Sequence, residues 1–197
     1  MAPRRVTDDQ LLDRLTDVFR SAGFDGASLT DLSTVTGLQR SSLYHRFPGG
    51  KEQMAAEVIG RLGNDTMDAG LAPLSTDEPI RERVEQVGRA LTAFYEAGAK
   101  SCLLDTMSFG DAGSATAAAL AAAANRWITA FEEVAASTGV KPAVAKARAQ
   151  DAIGAIEGAL VLARVTDDRR PFARAIERLP DVLLGTETDV NQTSKEE

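Results

Sequence analysis

The sequence is poor in the residues that build most metal and redox sites. Its 197 residues include one cysteine and one histidine. One cysteine excludes an internal disulfide and a cysteine-rich metal site, and one histidine excludes a histidine-rich metal site. No segment approaches the roughly 20 apolar residues of a membrane-spanning helix, and the N-terminus lacks the apolar segment of a secretory signal. These absences predict a cytoplasmic protein without membrane contact, metal or cofactor.

The charge is distributed unevenly along the chain. Apolar residues make up 44% and charged residues 26%, as in ordinary globular proteins, and the net charge is -7. Residues 1–61 contain eight Lys/Arg and eight Asp/Glu and are neutral overall. The rest of the chain contains fourteen Lys/Arg and twenty-one Asp/Glu, so it carries the whole negative excess. From Leu32 to Lys51 there is no acidic residue. A local basic window on an acidic protein can still meet phosphate, because charges act over about 8–10 Å in salt.

Apolar spacing predicts helices along the whole chain and no strand. Leu11, Leu15 and Val18 lie on one stripe of a first helix, which we expect to begin near Thr7 and to stop at Gly23. Further helices are predicted over about 29–36, 40–47, 51–70, 80–94, 114–137, 142–165 and 170–185. The chain is therefore predicted to be all-α, with about nine helices.

The segment 28–47 carries the main functional signal. Two short helical segments separated by Gly37 have the spacing of a helix-turn-helix, whose second helix can lie in the DNA major groove. Leu43 and Phe47, at i and i+4, are predicted to point into the core.

The opposite face of that second helix is polar. It presents Arg40, Ser41, Tyr44 and His45. An arginine can bond O6 and N7 of guanine together, while serine and tyrosine hydroxyls and Lys51 suit phosphate oxygens. Arg46 lies on the flank of the helix and is expected to be an ordinary solvated charge.

The run from Gly37 to Lys51 resembles the signature of the TetR family of transcriptional regulators. The family pattern has a turn glycine followed by Tyr-x-x-Phe and a lysine, which Gly37, Tyr44, Phe47 and Lys51 match. The extra residue in Pro48-Gly-Gly-Lys51 is similar to the LmrA/YxaF-like subgroup. The similarity of motif covers about residues 7–62.

The resemblance implies a homodimeric repressor that binds a palindromic operator and is released by a small-molecule inducer in its C-terminal domain. Ser28 would cap helix two against a phosphate. The residues expected at base edges are Gln39, Arg40, Ser41 and His45, and those expected at the DNA backbone are Ser42, Tyr44 and Lys51. Gln39 stands where the family often has Ser or Thr. Because glutamine is a poor N-cap, helix three can also begin one residue away from this register.

The predicted organisation is an N-terminal three-helix helix-turn-helix DNA-binding domain joined by a long helix to a C-terminal helical ligand-binding and dimerisation domain. The predicted boundaries are residues 1–62 and 63–185, followed by a polar, disordered tail over 186–197.

The C-terminal part offers two candidate residue sets. A ligand cavity between helices is predicted at Tyr95, Met107, Phe109, Trp127 and Phe131, although ordinary core is the alternative reading. The last two helices are apolar on more than one face, which predicts a dimer interface of four helices across a two-fold axis. Its candidates are Ile153, Ile156, Leu160, Phe172, Ile176 and Leu183. The alternative is again that both helices are core.

Two other function classes compete with gene regulation. A helical enzyme or small-molecule carrier without DNA binding would need convergent titratable groups, but the sequence has no second histidine, no Glu-x-x-His and no glycine-rich phosphate loop. The chain is therefore predicted not to be an enzyme. A scaffolding protein that uses its apolar helices for another partner is the third possibility.

Overall fold

The computed structural model describes residues 6–63 and 67–186. Within these ranges the chain is all-α, as predicted, with ten α-helices, two short 3-10 helices and no strand. The α-helices are α1 (Asp8–Gly26), α2 (Leu29–Thr36), α3 (Arg40–Arg46), α4 (Gly50–Arg61), α5 (Met67–Leu71), α6 (Ile80–Phe94), α7 (Leu103–Met107), α8 (Gly113–Ala136), α9 (Pro142–Thr166) and α10 (Arg170–Leu184). None of the helices in the described ranges has the length and apolarity to cross a membrane.

The described residues divide into two compact units. The first contains the described part of residues 1–65 together with 101–124, and the second contains the described part of 66–100 and 125–197. Segment 101–124, which includes α7, therefore belongs with the N-terminal helices. The domain limits predicted from the sequence stay a prediction. Of the predicted disordered tail, 187–197 lie outside the described residues.

The first helix begins where the sequence predicts. The Thr7 hydroxyl accepts a hydrogen bond from the Gln10 backbone N–H at 3.2 Å, and the Gln10 side chain accepts one from the Thr7 N–H at 3.3 Å. This reciprocal cap satisfies two of the donors that a helix start leaves exposed. The predicted stripe is confirmed, since Leu11, Leu15 and Val18 are buried in the core of the first unit.

The end of α1 departs from the prediction. Gly23 interrupts the regular helix with φ 68° and ψ -175°, but helical turns resume and continue to Gly26. This conformation is essentially restricted to glycine. A Cβ at position 23 would also lie 2.7 Å from the Thr106 carbonyl oxygen on α7. The missing side chain thus permits both the kink and the close approach of α7.

The end of α4 also differs from the sequence prediction. We expected one helix from about Lys51 to Gly70, but α4 ends at Arg61 and a separate α5 begins at Met67. Gly60 and Gly63 lie at this end of α4, and glycine costs roughly 1 kcal/mol in a helix interior relative to alanine. Residues 64–66 lie outside the described ranges.

In the second unit, α9 and α10 form a packed pair, and α10 also packs on α6. The buried side of α9 follows helical spacing through Ala145, Ala149, Ala152, Ile156 and Ala163. Phe172 of α10 is fully buried and meets the Tyr95 ring edge to face at a centroid distance of 6.0 Å. Aromatic and small residues therefore share this core.

Replacing Gly23 with alanine should destabilise the first unit by about 2–4 kcal/mol, because the cost of backbone strain and the cost of a clash with the Thr106 carbonyl are summed. Gly60→Ala is the matched control: position 60 is helical and nothing lies within 4 Å of an added Cβ. That control should stabilise the unit by about 0.5–1 kcal/mol. Urea unfolding followed by circular dichroism measures both free energies, and equal effects of the two variants would contradict the close contact of α1 with α7.

Candidate nucleic-acid interface

The second helix of the first unit is held at its N-terminus by Ser28. The Ser28 hydroxyl accepts a hydrogen bond from the Asp31 N–H at 3.1 Å and donates one to the Asp31 carboxylate at 2.5 Å. The carboxylate also accepts from the Ser28 N–H at 3.3 Å. The predicted cap is therefore present. Asp31 at this helix start also interacts favourably with the helix dipole.

A left-handed glycine makes the turn between α2 and α3. Gly37 has φ 71° and ψ 12° and ends α2. Thr36, directly before it, is fully buried, and its hydroxyl donates to the Leu32 carbonyl at 2.6 Å. Arg14 of α1 donates to the Thr36 carbonyl at 2.9 Å, and the Ser33 hydroxyl donates to the Leu38 carbonyl at 2.6 Å. These bonds fix the turn against α1.

Two buried side chains fix the orientation of α3. Leu43 and Phe47 are both 0% exposed, as predicted. The opposite face of the helix points to solvent. Its exposed residues are Arg40, Ser41, Ser42, Tyr44 and His45. The structure thus brings these predicted residues together on one outward surface, which we call the α3 surface.

Tyr44 combines packing with exposure. The residue is 45% exposed. A Cβ added at Gly50 would lie 3.3 Å from Tyr44 Cε1, so the ring lies directly against the first residue of α4. Gly50 has φ 66°, a conformation that L side chains rarely adopt. The ring is supported while the residue remains accessible.

The arginines around α3 have different partners. Arg46 Nε lies 3.2 Å from Asp8 Oδ1, and Arg46 Nη2 lies 3.9 Å from Glu57 Oε2. Arg46 is thus part of an ion-pair group that links α3 to α1 and α4. It lies on the flank of the helix as predicted, but it is not the ordinary solvated charge that the sequence predicted. Arg40 instead donates to the Thr30 hydroxyl at 2.5 Å. The Arg40 charge keeps no carboxylate partner among the described residues.

Lys51 lies at the start of α4 and is half-buried. Its Nζ donates to the Phe24 carbonyl at 2.9 Å and lies 4.3 Å from the centroid of the Phe24 ring. An ammonium group has three donors, so the contact with Phe24 leaves capacity for a phosphate oxygen. The lysine ties α4 to the end of α1, a structural role that the sequence did not reveal.

Gln39 is the N-cap residue of α3, and its side chain makes no capping hydrogen bond. Helix three therefore begins in the predicted register, at Arg40. The glutamine is exposed next to the α3 surface. Its lack of a capping role agrees with the poor capping tendency of glutamine.

The predicted ligand residues fall in different places. Met107 is buried in the core of the first unit, and Phe109 of the same unit is 71% exposed. The second unit contains Tyr95, which is buried, and Trp127, whose ring meets Phe131 edge to face at 5.4 Å. The ligand assignment of these five residues stays a prediction.

The residues predicted for dimerisation lie mainly inside their own chain. Ile153 and Ile176 are half-buried, whereas the other four are buried; these four are Ile156, Leu160, Phe172 and Leu183. The assignment of these six residues to a dimer interface stays a prediction. The large apolar side chains that α9 leaves exposed are Val144, Leu162 and Val165.

Sequence reasoning missed three contributors to the interface. Arg14 and Thr36 fix the turn, and Thr30 contacts Arg40. Spacing within one helix does not reveal these contacts, because Arg14 and Thr36 are 22 positions apart and Thr30 and Arg40 are ten apart. Among the described residues, no group of three or more His, Cys, Asp or Glu side chains could hold a metal ion.

The fold and the α2–turn–α3 geometry define a helix-turn-helix protein. Residues 11–58 match the family model described as bacterial regulatory proteins, tetR family. Residues 82–178 match the model described as transcriptional regulator LmrA/YxaF-like, C-terminal domain. The chain belongs to the TetR family of transcriptional regulators, which confirms the resemblance seen in the sequence. Its family and relatives are regulators and not enzymes, as predicted.

Known regulators and solved structures are similar to this chain over most of its length. The HTH-type transcriptional regulator LmrA of Bacillus subtilis is 26% identical over an alignment of 192 residues. The match covers 89% of this chain and 95% of that protein. A TetR regulator from Legionella pneumophila superposes with a TM-score of 0.77 at 19% identity, over 91% and 97% of the two chains. A cysteine mutant of the regulator CifR, complexed with a 26-base-pair operator, gives 0.73 at 24% identity, over 90% and 97%.

The contrast between the two helix starts gives a stability test. Gln39→Ser should stabilise the first unit by about 1 kcal/mol, because serine can cap α3 where glutamine does not. Ser28→Ala should cost about 1 kcal/mol, since it removes the α2 cap. Thermal and urea unfolding without DNA measure both changes. A loss of stability in Gln39→Ser would contradict the assigned start of α3.

Proposed function

We propose that this regulator is a cytoplasmic homodimeric repressor. It binds a palindromic operator through the α3 surface of each protomer and is released by a small-molecule inducer bound in the second unit. The observation that carries the proposal is the outward polar face of α3, held in place by the fully buried Leu43 and Phe47.

The roles in DNA binding follow from side-chain chemistry and position. Arg40 can donate two parallel hydrogen bonds to O6 and N7 of guanine, the commonest specific contact in the major groove. The other residues proposed to face base edges are Gln39, Ser41 and His45. The backbone contacts are proposed for Ser28, Ser42, Tyr44 and Lys51. To donate to a phosphate, the Ser28 hydroxyl would have to release the Asp31 carboxylate to which it donates. The small Ser41 and Ser42 let the helix backbone approach the duplex closely.

The charge distribution supports this assignment. No acidic residue lies between Leu32 and Lys51, so α3 itself carries no group that repels phosphate. The rest of the chain carries the negative excess. Contact with DNA is therefore expected at this surface and at the adjoining Ser28, Gln39 and Lys51, and it should weaken steeply with salt, because phosphate contacts release counterions.

An accessible face of α9 supports dimerisation. We call the residues Ala147, Gly154, Gly158, Leu162 and Val165 the open face of α9; all five are exposed. Nothing lies within 4 Å of a Cβ added at Gly154 or Gly158. A second copy of α9 can approach closely there, and a two-fold axis would place the same face on both sides. A dimer also presents two α3 surfaces to two half-sites one helical turn apart.

The inducer is proposed to lie among aromatic residues of the second unit. Trp127 is half-buried, and a Cβ at Gly70 would lie 3.3 Å from its ring, so the indole packs at the end of α5. Its apolar body and polar N–H suit a ligand with an aromatic or aliphatic part. To release the DNA, the ligand would have to bind one of two states of the dimer more tightly than the other.

Selection from random duplexes tests the DNA assignment. The full chain should enrich an inverted repeat whose half-sites are centred about one helical turn apart, or a multiple of it. Arg40→Ala should cost about 1–3 kcal/mol per half-site and relax the preference at one base pair. Arg46→Ala is the matched control, because Arg46 is already paired with Asp8 and should leave that preference unchanged. Quantitative gel shifts at several salt concentrations measure both variants.

Three results would contradict the assignment. They are the absence of any duplex binding at low salt, selection of a sequence without an inverted repeat, and equal effects of Arg40→Ala and Arg46→Ala. DNA-independent turnover of a small molecule would instead favour the enzyme or carrier hypothesis.

The dimer assignment has its own test. Gly158→Arg should convert a dimer to a monomer without unfolding it, because nothing lies within 4 Å of a Cβ added at that position and a long side chain blocks a facing helix. Gly60→Arg is the control, since Gly60 is also helical and open but lies on α4. Sedimentation velocity measures the state, and circular dichroism verifies the fold. A Gly158→Arg protein that stays dimeric would exclude the open face of α9.

A further inference from the structure

A threonine on α2 contacts the arginine that we assign to base readout. Thr30 Oγ1 accepts a hydrogen bond from Arg40 Nη2 at 2.5 Å. The two residues are ten positions apart, in the first turns of α2 and α3, and both are exposed. The bond therefore spans the helix-turn-helix and restricts the direction of a long side chain on the α3 surface.

The partner of Arg40 differs in chemistry from those of Arg14, Arg46 and Arg61. Arg14 donates to a backbone carbonyl, and Arg46 and Arg61 pair with carboxylates. In the described ranges, the partner of Arg40 is an uncharged hydroxyl. A hydroxyl can orient a guanidinium without neutralising it, so the positive charge stays available for DNA.

The donor count allows both contacts at once. A guanidinium has five N–H donors in a rigid plane. Thr30 uses one of them, and a bidentate contact with guanine uses two more. An arginine that is already oriented loses less rotamer freedom when it binds, and preorganisation of this kind raises affinity by lowering the entropic cost. The threonine need not leave for the base to be read.

We propose that Thr30 is a positioning residue for base readout: its hydroxyl orients the Arg40 guanidinium so that the arginine discriminates guanine. The inference rests on the proposed DNA-binding role of Arg40. Thr30 is assigned no direct contact with a base. Its removal should therefore affect one base pair of each half-site and should leave the number of phosphate contacts unchanged.

The test uses the full-length chain and the inverted repeat that it selects. Thr30→Val keeps the shape and removes the acceptor, whereas Thr30→Ser keeps the hydroxyl. Thr34→Val is the matched control, because Thr34 is also an exposed threonine of α2 but donates to the Thr30 backbone carbonyl and not to Arg40. Affinities are measured for the selected duplex and for duplexes substituted at each position, at several salt concentrations.

Thr30→Val should lower the preference at the base pair affected by Arg40→Ala by about three- to tenfold, the range of one net hydrogen bond. The other positions and the salt slope should be unchanged, and Thr30→Ser and Thr34→Val should behave like the wild type. If Thr30→Val lowers the melting temperature, Thr30→Ala repeats the test with a residue that favours helix.

The inference is overturned if Thr30→Val and Thr30→Ala leave the base preference unchanged, strengthen it, or weaken binding equally at all positions. Together, the results for the Arg40 and Thr30 variants distinguish a failure of this inference from a failure of the proposed function. If Arg40→Ala relaxes one base pair but the Thr30 variants do not, only the positioning role is wrong. If the wild type binds no duplex, or Arg40→Ala has no position-dependent effect, both are wrong.

Discussion

The burial of Leu43 and Phe47 is the constraint on which the helix-turn-helix of this regulator depends. α3 has only seven residues, and an isolated helix of that length is unstable in water. Its structure and its orientation therefore come from tertiary packing. Because both anchors point into the core of the first unit, the opposite face must point outward. On the side of α2, the turn at Gly37 and the hydrogen bonds of Arg14 and Thr36 keep α3 in this orientation.

A second constraint is the pairing of charge around α3. Arg46 and Arg61 are held by acidic side chains, whereas the Arg40 charge is oriented by a hydroxyl. The chain thus presents a small basic surface on a protein with a net charge of -7. An acidic protein of this kind gains little from general attraction to DNA. In the proposed complex, selectivity comes from the few side chains on the α3 surface and from the use of two half-sites.

The sequence was most informative where signals are local. The cap at Thr7, the turn at Gly37 and the inward face of α3 follow from spacing within one or two helical turns, and the all-α class follows from the same periodicity. Contacts between distant segments could not be predicted in this way. Examples are the kink at Gly23 against Thr106 and the approach of Thr30 to Arg40. The apolar pattern of α9 also could not say which of its faces is covered by its own chain.

A crystal structure of the protein bound to its selected inverted repeat tests the central claim most directly. The account predicts that α3 of each protomer lies in the major groove, with the Arg40 guanidinium within hydrogen-bonding distance of a base edge and Leu43 still buried. It would be contradicted by a complex in which another surface meets the duplex, or in which α3 leaves its anchored position to reach the DNA.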